Sequence, residues 1–141
     1  INDFGLLRKK IGNDRALLRA YHFFSENRRV DRMTECLQRN DFDEFLLYVE
    51  DSGNSSFKYL QNVYPSSSPY EQGLSLALAY SDEILQGDGA SRVHGGGFAG
   101  TIQAYVPVEI VDKYIAGMES VFGEGCCTRI AIRKRPVSRI L

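Results

Sequence analysis

The stretch Ser91-Arg92-Val93-His94-Gly95-Gly96-Gly97-Phe98-Ala99-Gly100 is where residue type and spacing bear most directly on chemistry. It puts four glycines into the six positions from 95 to 100. Each glycine gives up roughly 0.5–1 kcal/mol more backbone entropy than alanine on ordering, so such density asks for a reason. The order formally matches G-x-G-x-x-G. A dinucleotide fold needs that pattern between a strand and a helix, so that the helix N-terminus meets a pyrophosphate. Here the alternating run Thr101-Ile102-Gln103-Ala104-Tyr105-Val106 follows and reads as a second strand. No Gly-Lys-Ser/Thr is present, so a Walker phosphate loop is excluded as well.

Spacing alone leaves two readings of the loop open. One is a bulged turn, or a place where another backbone passes close. The other is a loop that sets bare backbone against a ligand or a neighbouring phosphate loop, because consecutive N–H groups can form an anion-binding concavity. Arg92 and His94 flank it and could add positive charge. His94 by itself reads as a packed or surface histidine rather than a catalytic one.

The elements around this hairpin come from periodicity and caps. Asn13 or Asp14 can cap a long helix carrying Leu17, Tyr21, Phe24, Val30, Met33 and Leu37 on one face. Glu26, Arg28, Arg29, Asp31, Arg32 and Glu35 fill its wet side. Asp41 can cap a second helix with Phe42, Phe45, Leu46 and Val49 inward. Tyr64-Pro65-Ser66-Ser67-Ser68-Pro69 is a loop. A third helix buries Leu74, Ala77, Leu78 and Leu85 and ends at Gly87-Asp88-Gly89, glycine accepting a left-handed cap. After the hairpin, Pro107 suits the first turn of a helix bearing Val111, Tyr114, Ile115, Met118 and Phe122. Gly123-Glu124-Gly125 turns the chain, and Thr128 to Arg133 alternates as a last strand. The expectation is an α+β fold: three N-terminal helices, then a small antiparallel sheet with a crossover helix, the helices on one sheet face.

Composition narrows the partners. The 141 residues fit one domain and carry 17 basic against 18 acidic side chains. That balance argues against nucleic acid, whose phosphates call for a basic excess. Arg133-Lys134-Arg135 reads as a solvated strand end. No apolar run approaches a membrane span, and no charged-then-apolar start resembles a signal peptide. Cys36, Cys126 and Cys127 make a poor disulfide framework and read as reduced thiols of a cytoplasmic protein. His22 and His94 do not complete a zinc site with them, so no metal ligands are assigned. Tyr48, Tyr59 and Tyr64 suit core or interface positions. Ile rather than Met at the first position suggests a chain cut from something longer.

The glycine stretch resembles the third signature motif of galactokinases, which belong to the superfamily of galacto-, homoserine, mevalonate and phosphomevalonate kinases. That motif typically reads Gly-Ala-Arg-Met-Thr-Gly-Gly-Gly-Phe-Gly-Gly-Cys. Arg92, Gly95, Gly96, Gly97, Phe98 and Gly100 match it. Val93 stands for Met, Ala90-Ser91 for Gly-Ala, His94 for Thr, Ala99 for Gly and Thr101 for Cys. A second likeness lies at Arg19-Ala20-Tyr21-His22-Phe23-Phe24-Ser25-Glu26-Asn27-Arg28-Arg29-Val30, which is similar to the family's R-A-x-H-x-x-x-E-x-x-R-V segment. The resemblance covers roughly residues 13 to 135. Between the two motifs the chain departs from the pattern. Ser52-Gly53 stands where a Ser-His pair is usual, and Pro69-Tyr70-Glu71-Gln72 where Pro-Glu-Leu-Asp is usual. These departures leave the sugar open.

The resemblance implies that residues 1–141 are one domain, the C-terminal, ferredoxin-like part of a two-domain kinase with its cleft between the domains. The missing N-terminal kinase domain would be its partner. That domain would supply the sugar-binding carboxylates, the catalytic Asp with its Arg, and the main phosphate loop. ATP and Mg²⁺ would be the cofactors of the complete enzyme, and galactose or a related sugar its substrate. Arg92, Gly95, Gly96, Gly97, Phe98, Ala99 and Gly100 would then stand beside the nucleotide phosphates. No residue of this chain would be catalytic, because a glycine loop can position but cannot activate a hydroxyl. The chain alone is expected to be inactive, and to self-associate through surface that the missing half would cover. Two alternatives stay open: a kinase of the same superfamily for another sugar, and a non-catalytic sensor of sugar or nucleotide with the same fold.

Overall fold

The structure, a computed structural model, describes residues 3–97 and 100–131. It is α+β, with five α-helices and one two-stranded antiparallel sheet among the described residues. The helices are α1 (Phe4–Ile11), α2 (Asp14–Arg39), α3 (Phe42–Ser55), α4 (Gly73–Leu85) and α5 (Val111–Phe122). A π-helical turn (Ser56–Leu60) extends α3, and a 3₁₀ turn (Val108–Ile110) leads into α5. The strands are β1 (Ala90–Val93) and β2 (Ile102–Tyr105).

Local chemistry sets the helix starts. The Asn13 side chain accepts from the Ala16 N–H at 3.0 Å, and the Asp41 side chain from the Glu44 N–H at 3.2 Å. Both satisfy a backbone donor that has no partner inside its helix. Helix α1, capped by Asp3, was not anticipated from the sequence. At the end of α4 the left-handed cap is Gln86 (φ 48°), one residue before the glycine turn expected to supply it.

The sheet pairs Ala90 with Tyr105 and Val93 with Ile102, so a hairpin joins the strands across the glycine loop. Period-2 alternation then sorts its side chains. On one face Ala90 and Tyr105 join Cys36, Phe45 and Val49 of α2 and α3. On the other, Ile102 and Ala104 pack with Ala77 and Leu85 of α4 and Tyr114 and Met118 of α5. Val93 adds to a third cluster with Val63 and Leu74. The helices therefore cover both faces of the sheet, which corrects the one-face expectation. Alternation along β2 forces this: Tyr105 and Ala104 are both apolar enough to need cover, and they point opposite ways.

Helix α2 also departs from expectation. It has the expected extent, but Phe24, Val30 and Leu37 are exposed. The inward face runs through His22, Glu26, Arg29, Met33 and Cys36 instead. Two charged residues assigned to the wet side thus point inward, because partners on α3 and β1 neutralise them. Of the expected last strand, Thr128–Ala131 has no regular structure and Ile130 is exposed. Ile132 and Arg133, with the basic run that continues from it, lie outside the described residues.

Candidate functional site: the glycine hairpin and its ionic base

The hairpin tip runs from His94 to Thr101, closed by the His94 N–H donating to the Thr101 carbonyl at 3.1 Å. Gly95, Gly97 and Gly100 all have positive φ, of 64°, 73° and 79°. Gly97 is the tightest of the three. A Cβ there would stand 2.1 Å from the carbonyl oxygen of Asn62 and 2.8 Å from its side chain. Asn62 is buried, accepts from the Ser56 hydroxyl at 3.0 Å and donates to the Gly96 carbonyl at 3.2 Å. The π-helical turn and the left-handed Gln61 (φ 52°) deliver Asn62 to that place. Gly96 differs from Gly97. Its φ is not in the left-handed range, and among the described residues nothing lies within 4 Å of where its Cβ would be. Phe98 and Ala99 lie outside the described residues.

Below the loop, Arg92 leaves β1 toward α2. Its Nη1 sits 3.4 Å from Glu26 Oε1. Glu26 also pairs with Arg29 and accepts from the Ser52 hydroxyl of α3. Arg29 reaches Asp51 at 3.3 Å. Alongside, the His22 Nδ1 contacts the Ser55 hydroxyl at 3.0 Å. Burial pushes the His22 imidazole below its ordinary pKa, and Arg29 and Arg92 push it the same way, against Glu26. Gly53 makes the packing possible, since a Cβ there would stand 3.1 Å from both the Arg92 Cβ and the Ser91 carbonyl. Glycine at this place is thus explained by close approach of α3 to β1.

The structure therefore brings together what the sequence presents as two separate motifs. His22, Glu26 and Arg29 of the first contact or surround Arg92 of the second. Their joint work is to hold β1, and with it the loop, on α2 and α3. They leave Gly95, Gly96 and Gly100 at the surface, and His94 exposed beside them. Asn62, Ser56 and Ser52 were not foreseen as supports. A polar asparagine after an apolar-flanked turn carries no periodic signal, and only the tertiary contact reveals it. Among the described residues no group of three His, Cys, Asp or Glu side chains is placed to hold a metal. No helix among the described residues is long and apolar enough to cross a membrane.

An α+β chain whose glycine hairpin rests on a charged helix face is similar over much of its length to a sugar kinase. It is 30% identical over 107 residues to a galactokinase of Glaesserella parasuis serovar 5 (strain SH0165), an alignment covering 74% of this chain. The chain spans about a quarter of that protein, the alignment covering 26% of it. No family model matches the chain, and no solved structure matches it.

Proposed function

We propose that this chain is the C-terminal, cleft-lining domain of a galactokinase-like enzyme, which transfers the γ-phosphate of ATP to the anomeric hydroxyl of galactose. The observation that carries this reading is the hairpin itself: the glycine backbone at 95–97 is held from behind by Asn62, and among the described residues nothing lies within 4 Å in front of Gly96. Likeness to a galactokinase over 107 residues supports the choice of chemistry.

Phosphoryl transfer needs little covalent work from a protein. It needs in-line positioning and neutralisation of developing charge. ATP and Mg²⁺ would supply the transferred group and most of the counter-charge when bound. This chain's part would be to bring the N–H groups of residues 95 to 100 against the phosphate region and to exclude water there. Arg92 would not reach the phosphates, because it is committed to Glu26; it would position the loop. The N-terminal kinase domain would provide the catalytic groups and the sugar-binding carboxylates, so the isolated chain would be inactive.

The test is ADP release from Mg-ATP with galactose, galactosamine, glucose and mannose, comparing a longer protein that contains this chain with the chain alone. Turnover of galactose by the longer protein alone is the expected result. Preference for another sugar would move the reading to a sister kinase. Binding of ATP or sugar without ADP release would replace it with a sensor. Turnover by the chain alone would overturn the division of labour.

A further inference from the structure

Cys126 and Cys127 follow the turn after α5. Neighbouring residues in extended chain point to opposite sides, which keeps their side chains apart. Here the two Sγ atoms lie 3.8 Å from each other. The turn is what brings them to one side. Gly123 (φ 96°) and Gly125 (φ 77°) bend the backbone, the Cys126 N–H donates to the Gly123 carbonyl at 3.2 Å, and the Gly125 N–H donates to Glu119 Oε1 at 2.9 Å. Both thiols are free, Cys126 exposed and Cys127 half-buried. Both line a largely apolar cavity of about 750 Å³ between β2 and α5.

We propose that Cys126 and Cys127 form a reversible redox site, closing to a vicinal disulfide by exchange with a small disulfide of the glutathione class. The order of events follows from exposure. Cys126, as thiolate, attacks one sulfur of the incoming disulfide and expels a thiolate, leaving a mixed disulfide on Cys126. Cys127 then releases its proton to solvent, and its sulfur attacks Cys126 Sγ and expels the second thiolate. Two thiols and one small disulfide become one ring disulfide and two small thiols, with two electrons passing to the oxidant. Cys127 is suited to the second step rather than the first, because burial and the neighbouring Cys126 push its thiol up to about 11. A thiol whose reaction partner is already in contact needs little thiolate to finish the exchange. Closing a ring through a single peptide bond strains it, and strained, exposed disulfides are the readily reduced ones. The site would therefore stay open under reducing conditions and close only when the thiol pool is oxidised.

The experiment exposes the 141-residue chain to excess glutathione disulfide, blocks remaining thiols, and reads intact mass and fragment masses. The expected product has lost two hydrogens, carries the link at Cys126–Cys127, and returns to the starting mass with dithiothreitol. Cys36 is buried in the α2–α3 core and serves as control: Cys36→Ser should close as the parent does. Cys126→Ser should take up no glutathione at Cys127, or far less, while Cys127→Ser should stop at the mixed disulfide. Far-UV circular dichroism on each variant separates loss of chemistry from loss of fold. A parent that stops at a stable glutathione adduct, links two molecules together, or remains unmodified while folded would overturn the proposal.

Discussion

At the scale of single residues, two adjacent glycines of the loop have opposite duties, and substitution should separate them. Gly97→Ala adds a Cβ against Asn62 at a positive φ, so a loss of at least about 2 kcal/mol in urea unfolding is expected. Gly96→Ala meets nothing within 4 Å among the described residues, and its stability should stay within about 0.5 kcal/mol of the parent. Under the proposed function, the same Gly96→Ala change in a longer protein that contains this chain should lower kcat/KM for ATP, since it would fill the face proposed to meet the phosphates. His22 makes a second case. Its folded pKa lies below the unfolded value, so the unfolded chain binds more protons in acid. Stability should be full above the ordinary histidine pKa of about 6.5 and fall as pH drops below it. Burial makes protonation of the ring costly, with Arg29 and Arg92 adding to that cost and Glu26 and Ser55 opposing it. His22→Gln should flatten that decline in thermal unfolding followed between neutral and mildly acidic pH.

At the scale of elements, caps and alternation were legible and the facing of α2 was not. Asn13 and Asp41 start their helices as their short polar side chains dictate, and β2 lies where alternation puts it. Asn13→Ala should cost about 1 kcal/mol and Asn13→Gly only a few tenths, measured by denaturant midpoint. The α2 error has a physical origin. Hydrophobic periodicity assumes that charge faces water, whereas Glu26 and Arg29 face inward because Arg92, Ser52 and Asp51 complete them. Those partners come from α3 and β1, distant in sequence, and no window along α2 contains them. The resemblance of the two motifs marked the same residues without saying that they meet. Asn62 shows the same limit from the other side: its value lies wholly in a contact with Gly96 and Gly97.

At the scale of the whole molecule, the apolar residues that α2 turns outward ask for cover. Phe23, Val30 and Leu37 recur at seven-residue spacing and are each about half exposed, with Phe24 beside them. A stripe of that kind on an isolated chain favours association. Sedimentation should show the chain's apparent mass rising with concentration, and Val30→Lys should reduce that rise; a monomer at every concentration would count against it. A longer protein in which another domain covers the stripe should show no such dependence.

The π-helical turn at Ser56–Leu60 has a consequence for how this chain tolerates length change. A π turn holds one residue more than the α-turn it replaces. Deleting a single residue between 56 and 60 would let the helix run on smoothly as α-helix, with its own hydrogen bonds intact. The π turn has already absorbed the extra residue within one revolution, so the residues after it would keep roughly their present facing. Asn62 would stay by the Gly96 carbonyl, whereas a second deletion, which no bulge absorbs, would turn it by roughly 100° and strip the loop of its rear anchor with no glycine changed. The extra residue is slack taken up inside the turn, so this stretch should bear the loss of one residue but not of two.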